Sequence, residues 1–204
     1  MSAFTFCTVQ YASGDWDSAP QVPGNLIDSV ARYTSIEVTP TGAIVALASA
    51  DLLRYPLAYL TGHLPVRFSP SERDMLRTYL TRGGLLFVDD HNHDVDGVFS
   101  KSALEELARV TGAPLKPIPK SHELYRCFFT FPDGPPTTGH ELNGWGDNLV
   151  HAELLASLRG DRISVLFSNK DYSSEWGYHP DNKRFQSVDN TRFGVNIVVY
   201  ALTR

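Results

Sequence analysis

The chain has 204 residues, of which 42% are hydrophobic and 20% charged, and its formal net charge is -5 at pH 7. This length suits one compact domain with a buried core. The acidic balance provides no basic surface for nucleic acid, and no apolar run approaches the ~18 residues that a membrane span needs. The two cysteines, Cys7 and Cys127, form neither a disulfide framework nor a metal-binding spacing.

The N-terminus lacks the basic segment followed by an apolar one that marks a signal peptide. We therefore expect a cytoplasmic protein, or a periplasmic one if a signal peptide has been removed. The expected partner is a small molecule or another protein, with no nucleic acid bound and no membrane span in this chain.

Hydrophobic periodicity predicts strands that alternate with helices in the first half of the chain. Strands are predicted at 4–11, 43–48 and 57–62, and residues 36–38 could form another short one. Residues 43–48 are apolar throughout, as expected of a strand covered on both faces. A helix is predicted over 23–34, where Leu26, Ile27 and Val30 share one face.

The clearest unit runs from the predicted strand at 57–62 to a second strand at 85–88. Ser69 and Glu72 bracket a proline in the pattern of a helix-capping box, and Gly83 with Gly84 marks the end of that helix. Strand, helix and strand in this order predict a right-handed parallel crossover.

The second half of the chain predicts fewer regular elements and two long segments. Helices are predicted at 101–112 and 149–158, a strand at 162–167, and a helix rather than a strand at 193–203. Long ordered loops are predicted at about 113–147 and 168–190. The alternation of strands and helices predicts a single α/β domain over 1–204 with a mainly parallel sheet.

Acidic and histidine side chains are dense directly after the predicted strand at 85–88. Six of the eight residues from Asp89 to Asp96 are Asp or His. Ligands of open α/β sheets bind beyond the carboxyl ends of the strands, so this stretch occupies the favoured edge. If strand 57–62 is a parallel neighbour, His63 lies beside it. The candidate site for a metal or other ligand is Asp89, Asp90, His91, His93, Asp94 and His63.

Three interpretations of this stretch remain open. His91 and His93 share a face in extended backbone, and imidazole with carboxylate suits a divalent metal such as zinc, iron or manganese. Adjacent Asp89 and Asp90 could instead differ enough in pKa for acid/base chemistry. The third interpretation is a polar turn at the end of a strand. A calcium-binding loop is disfavoured, because Ala103 stands where its bidentate glutamate belongs.

Polar and aromatic residues on the two long loops define a second candidate surface for a ligand or partner. Long ordered loops often carry function, and Trp is enriched at interface hot spots, although packing within the loops is an equal alternative. No Gly-x-Ser-x-Gly elbow, P-loop or dinucleotide fingerprint is present. The residues of this second surface are His122, His140, Glu141, Trp145, Asp147, Asn169, Asp171 and Trp176.

Four spaced segments resemble those of one bacterial family. They are YASGDW from Tyr11, YPLAYLTGH from Tyr55, YLTRGGLLFVDD from Tyr79 and GVNIVVYAL from Gly194. In this order they resemble the domain of unknown function family numbered 4159, over nearly the whole chain. The resemblance implies a class I glutamine amidotransferase-like fold, which is a flavodoxin-like three-layer sandwich.

The resemblance also bears on chemistry. In amidotransferases the corresponding strand ends at a catalytic cysteine, whereas this chain has Asp89, Asp90 and His91 there. Glutaminase activity needs a thiolate at that place, so we do not expect it. Members of the family often lie near genes for MoxR-type ATPases, which implies a scaffold role as one alternative.

The first functional hypothesis from the sequence is therefore a ligand- or metal-binding protein on an amidotransferase-like scaffold. One alternative is a hydrolase that depends on a metal or on an Asp or His base. The other is an interaction protein linked to a MoxR-type ATPase system.

Overall fold

A twisted β-sheet organises the part of the chain that the computed structural model describes, which is residues 3–91, 96–139, 141, 152–177 and 188–204. Its strands are β1 Cys7–Gln10, β2 Ala43–Ala46, β3 Leu57–Gly62, β4 Leu85–Asp90, β5 Lys116–Pro117, β6 Leu155–Arg159 and β7 Arg162–Ser168. Their order in the sheet is β2-β1-β3-β4-β7-β6-β5. The first five in that order are parallel, and β6 pairs antiparallel with both β7 and β5.

Helices cover both faces of this sheet. They are α1 Val22–Tyr33, α2 Pro70–Thr81, α3 Val98–Thr111, α4 Tyr172–Gly177 and α5 Val188–Thr203, with short 3₁₀ helices at Ala50–Arg54 and Glu123–Tyr125. Alternate strand residues belong to two separate cores: Tyr59 packs with α1, α4 and α5, and Leu60 packs with α2 and α3. The predicted α/β fold with a mainly parallel sheet is confirmed, and its layers are consistent with a three-layer arrangement.

The predicted capping box forms at the start of α2. The Ser69 hydroxyl accepts from the Glu72 N–H at 3.2 Å, and the Glu72 carboxylate accepts from the Ser69 N–H at 2.7 Å. The other Glu72 oxygen accepts from the Ala12 N–H at 2.8 Å, which ties the helix to the loop after β1. Gly84 follows the helix because a Cβ there would lie 2.2 Å from the Tyr79 ring.

The predicted helix at 149–158 is wrong where the structure describes it. Residues Leu155–Arg159 form β6, which pairs with β7 in a hairpin. Gly160, at φ +61°, and Asp161 make the two-residue turn, and the first position of such a turn favours glycine. Leu and Ala favour helix locally, but the hairpin gives their backbone groups partners in the sheet. Residues 149–151 lie outside the described part.

The predictions for three further segments need correction. Strand β2 is not covered on both faces, because it is the outermost strand of the sheet and Ile44 is 62% exposed. Residues 36–38 contribute only an isolated bridge between Val38 and Phe4. The predicted loop at 168–190 contains α4 and the first residues of α5, so the last helix begins earlier than predicted. In the described residues, no helix is both long and apolar enough to span a membrane.

Candidate functional site

The carboxyl ends of β3 and β4 bring two histidines together. In the parallel register of these strands Thr61 lies beside Asp89 and Gly62 beside Asp90. The next residues of the two strands are His63 and His91, and their ring centroids are 4.7 Å apart. The expected proximity of His63 to the start of the Asp/His stretch is confirmed.

Asp15, in the loop after β1, holds the first of these histidines. The His63 Nδ1 atom lies 2.7 Å from one Asp15 oxygen, and the other oxygen accepts from the backbone N–H groups of His63 and Leu64 at 2.9 and 3.0 Å. Burial raises the pKa of Asp15, but these hydrogen bonds outweigh it and hold that pKa below its ordinary value. Since β2 and β3 flank β1 on opposite sides, this pair sits at the point where the strand order reverses, a preferred ligand position in α/β sheets.

Gly62 makes the approach between these loops possible. A Cβ at this position would lie 2.3 Å from the Tyr11 hydroxyl oxygen and 2.9 Å from an Asp15 carboxylate oxygen. The Tyr11 hydroxyl itself donates to the Thr61 carbonyl at 3.0 Å, so the loop after β1 is fixed against the end of β3. A larger residue at 62 would therefore require Tyr11, and with it the Asp15 carboxylate that orients His63, or the backbone of residue 62 to shift.

Asp171, after β7, holds the second histidine. Its Oδ1 atom lies 3.0 Å from His91 Nδ1 and accepts from the Ser174 N–H at 3.1 Å. Asp171 is fully buried at φ +59°, a left-handed conformation that residues other than glycine seldom adopt, and such residues cluster at functional sites. Burial lowers the pKa of His91, but the hydrogen bond and charge of Asp171 outweigh it, so that pKa is raised.

The His91 ring does not form a Ser-His-Asp relay. The Ser174 hydroxyl lies 3.4 Å from Nδ1, the same nitrogen that Asp171 contacts. A relay needs the hydroxyl and the carboxylate on different ring nitrogens. Nε2 of His91 makes no hydrogen bond to the described residues.

Asp89 is buried beneath the histidines and joins β4 to α4. Its Oδ2 atom accepts from both the N–H and the hydroxyl of Ser173, each at 2.6 Å. The Tyr59 hydroxyl lies 2.6 Å from the same serine hydroxyl, and the Thr61 hydroxyl donates to the Asp89 carbonyl at 2.7 Å. Burial and the charge of Asp171 raise the pKa of Asp89 to about 7. Through its hydrogen bonds to Ser173, the Asp89 carboxyl group holds α4 against the end of β4.

Asp90 lies on the opposite face of β4, because successive strand side chains alternate. It accepts a hydrogen bond from the Ser100 hydroxyl of α3 and is buried. Asp89 and Asp90, which one interpretation of the sequence paired for acid/base chemistry, consequently face different helix layers.

The comparison with protein families gives a match over nearly the whole chain. The model described as Domain of unknown function (DUF4159) matches residues 5–202. The chain belongs to this family. The matched range contains both carboxylate–histidine pairs. A comparison with curated proteins gives no match.

A metal site in this DUF4159 protein is not completed by the described residues. Among them, no group of three or more His, Cys, Asp and Glu side chains is arranged to hold a metal ion. Five of the residues predicted for the two sites lie outside the described part of the chain: His93, Asp94, His140, Trp145 and Asp147.

His122, predicted as part of the second surface, lies away from the paired histidines. It caps a 3₁₀ helix, where its Nδ1 accepts from the Leu124 N–H at 3.1 Å, and its ring centroid is 5.8 Å from that of Tyr200. The Tyr200 hydroxyl accepts from the Ile163 N–H near the start of β7, so His122 is at the amino-terminal edge of the sheet. It is therefore separate from the candidate site.

Trp176, predicted as a surface anchor, is an interior residue of this DUF4159 chain. Only 3% of it is exposed, and its ring stacks on Tyr172 with centroids 5.4 Å apart. The indole N–H donates to the Asn190 carbonyl at 2.9 Å. The alternative of simple packing is thus correct for Trp176.

The remaining predicted residues are internal supports of the segment after β7. Asn169 is buried, and Glu141 accepts hydrogen bonds from the buried Lys170 and from the N–H and hydroxyl of Thr138. Asp171 is the member of the second surface that belongs to the site. Asp15 was not predicted as a site residue. The only signal for it in the sequence was its position in the YASGDW segment, which resembles the family.

A cavity of about 180 Å³ opens beside His91, between the loop before α1 and the first turns of α4. Its wall includes Ser18, Gln21, Ser173 and Ser174. The Ser18 hydroxyl oxygen is buried without a hydrogen-bond partner among the described residues. Buried polar atoms of this kind are rare and call for an explanation.

Both cysteines lie away from this edge. Cys7 begins β1 at the opposite end of the strand, and burial raises its pKa to about 12. Burial also raises the pKa of Cys127 to about 11, and its sulfur contacts the carbonyls of Leu124 and Asn196. Neither thiol can serve as a nucleophile beside His91.

Proposed function

We propose that this protein binds a small polar ligand at the carboxyl edge of the sheet, with His63 and His91 as the residues that contact it. The observation that carries the proposal is the close approach of two imidazole rings, each held by a carboxylate at its Nδ1 atom. Asp15 and Asp171 fix the ring orientations, as the partners of working histidines commonly do.

The position of this pair supports binding rather than a structural role alone. The rings follow β3 and β4 directly, where side chains of parallel sheets meet ligands. The side chain of His91 is 18% exposed and that of His63 is 41% exposed, so both can be reached from solvent. The carboxylates are more buried than the rings that they contact. This difference is expected if the carboxylates orient the rings and the rings contact the ligand.

The proposed scaffold is that of the class I glutamine amidotransferases, without their reaction. The parallel strands and the helix–Gly-Gly–strand unit that ends at Asp89 support this assignment. Glutamine hydrolysis would need a reactive thiolate at the end of β4, and both cysteines are elsewhere with raised pKa values. A ligand-binding function would use the same end of β4 as the amidotransferase site, without its nucleophilic chemistry.

A divalent metal such as zinc, iron or manganese is a second candidate occupant, and the carboxylate–histidine pairs favour it. A metal-bound histidine usually donates its other ring N–H to a carboxylate or carbonyl. With His63 and His91 as ligands through Nε2, the described residues would supply two ligands, and water or substrate would fill other positions. Such a metal would polarise a bound carbonyl or phosphoryl group.

The experiment is a thermal-shift screen with a defined panel of carboxylates, phosphates, amides, sugars and divalent chloride salts. Each compound that raises the melting midpoint of the wild-type protein is titrated by calorimetry into His63→Ala, His91→Ala and His122→Ala. We expect binding to be lost in the first two variants and kept in the third, because His122 is at the other edge of the sheet.

The outcomes separate the two occupants. Stabilisation by zinc or manganese salts alone, lost in either site variant, supports the metal. Stabilisation by an organic compound in the presence of a chelator supports the polar ligand. Binding that survives both His63→Ala and His91→Ala, with circular dichroism showing folded variants, would contradict the proposed site.

A further inference from the structure

We propose that the cavity beside His91 binds the oxyanion of the ligand, a carboxylate or a phosphate, through His91, Ser18 and Ser174. This inference rests on the proposed ligand-binding function and names the chemical class of the group that enters the cavity. His91 is the only ionisable side chain among the described residues of the cavity wall. The other polar side chains described on this wall are those of Gln21 and of three serines, Ser18, Ser173 and Ser174.

Ser18 supplies the first independent observation. Its hydroxyl oxygen is buried and has no hydrogen-bond partner among the described residues, while its backbone N–H is already bonded to the Asp15 carbonyl at 2.9 Å. A buried hydroxyl without a partner is unfavourable, whereas a ligand oxygen in the cavity would accept its proton. The Ser18 hydroxyl would therefore have a hydrogen-bond partner in the ligand-bound protein, whereas it has none among the described residues of the free protein.

His91 supplies a complementary donor. Its Nδ1 atom lies 3.0 Å from an Asp171 carboxylate oxygen. When both ring nitrogens are protonated, Nδ1 donates to Asp171 and Nε2 donates to a ligand oxygen. The Ser174 hydroxyl lies 3.4 Å from Nδ1 and can turn toward a ligand, because its bond to the ring is long.

The two buried carboxylates of the site have hydrogen-bond partners away from the cavity wall. Asp89 is engaged by both donors of Ser173, and Asp171 by His91 and the Ser174 N–H. Neither carboxylate is part of the cavity wall. The wall instead includes Gln21, which precedes α1, a helix of 12 residues with no acidic residue in its first turn. The amino end of such a helix adds a favourable potential for an anion.

The test uses inorganic phosphate and acetate as probes, titrated by calorimetry or by chemical-shift perturbation into the whole protein at constant ionic strength with chloride as the reference salt. The variants are Ser18→Ala, Ser174→Ala and His91→Ala, with Ser35→Ala as an exposed serine control and His63→Ala as the second histidine. We expect at least one probe to bind, and Ser18→Ala to weaken it about tenfold, since a hydrogen bond to a charged group is worth about that factor.

A stability measurement separates a ligand contact from a structural role. Ser18→Ala removes a hydroxyl that has no partner among the described residues, so its urea midpoint should equal or exceed that of the wild type even though oxyanion binding falls. His63 is not part of the cavity wall, so His63→Ala should retain the two small probes, which occupy only the cavity, although it should lose the larger panel ligands that contact both histidines. Whichever probe binds identifies the source of the oxyanion as phosphate or carboxylate.

Two results would overturn the inference. One is the absence of binding by both probes at tens of millimolar, and the other is binding unchanged in Ser18→Ala and His91→Ala. In either case, panel ligands whose binding depends on His63 and His91 would leave the proposed function standing. Conversely, oxyanion binding in the cavity together with panel ligands indifferent to His63 would support the cavity and contradict the paired-histidine site.

Discussion

Asp89→Asn should remove a pH dependence of stability that originates in one buried carboxyl group. Asp89 is fully buried, its Oδ1 atom has no hydrogen-bond partner among the described residues, and Asp171 adds negative charge nearby. Burial and this charge raise its pKa from 3.8 to about 7. The asparagine side chain has nearly the same shape as the protonated acid but does not ionise.

The magnitude follows from the difference between these two pKa values, which is about three pH units. Each pH unit is worth about 1.36 kcal/mol, so burying the carboxylate rather than the acid costs about 4 kcal/mol. Since the folded-state pKa is the higher one, the folded protein retains the proton between the two values, and stability falls as the pH rises through this window. From about pH 5 to about pH 8 the loss due to Asp89 is about 3 kcal/mol.

The assay is urea unfolding of wild type, Asp89→Asn and the exposed control Asp133→Asn at several pH values across this window. The free energy of unfolding of the wild type should fall relative to that of Asp89→Asn as the pH rises, whereas Asp133→Asn should follow the wild type. The unsatisfied side-chain amide that Asp89→Asn introduces adds a constant penalty that cancels between pH values. Parallel curves for wild type and Asp89→Asn would refute the reasoning.

Two further predictions concern the groups that hold the histidines. Gly62→Ala places a Cβ 2.3 Å from the Tyr11 hydroxyl oxygen, so urea unfolding should show a loss of about 1–3 kcal/mol, and an unchanged midpoint would contradict the close approach. Asp171→Asn removes the charge that raises the pKa of His91, so that pKa, followed by NMR, should fall. Because a raised histidine pKa stabilises the fold below 6.5 and this stability is lost as the pH rises through the folded-state pKa, the variant should lose stability at acidic pH, and an unmoved His91 titration would contradict the pairing.

The sequence predicted that the site lies at the carboxyl edge of the sheet, because local patterns predict the strand and the helix that lead to this edge. The strand at 85–88, its helix and the capping box at Ser69 depend on neighbouring residues, and the structure confirms them. From these, the sequence predicted the parallel crossover and, if the two strands are neighbours, the position of His63 beside the Asp/His stretch. The role of Asp89 did not follow, since alternation along β4 and the contact with Ser173 decide which helix layer it faces.

Other predictions failed for a physical reason that lies outside the local sequence. The Leu- and Ala-rich segment before Gly160 favours helix by itself, but pairing with β7 makes it a strand. Trp176 has the composition of a surface anchor, but it is covered by Tyr172 and α5. In both cases the partner that decides the outcome is supplied by tertiary packing rather than by the residues on either side.

The sequence by itself determined the α/β alternation, the family and the strand end at which the Asp/His stretch begins, because periodicity, capping and turn residues act over a few positions. Only the tertiary structure decided which carboxylate serves each histidine. Asp15 and His63 are 48 residues apart in the chain, and His91 and Asp171 are 80 apart. Such partners are set by the order of strands in the sheet and by the conformation of the loops beyond them, which no local pattern encodes.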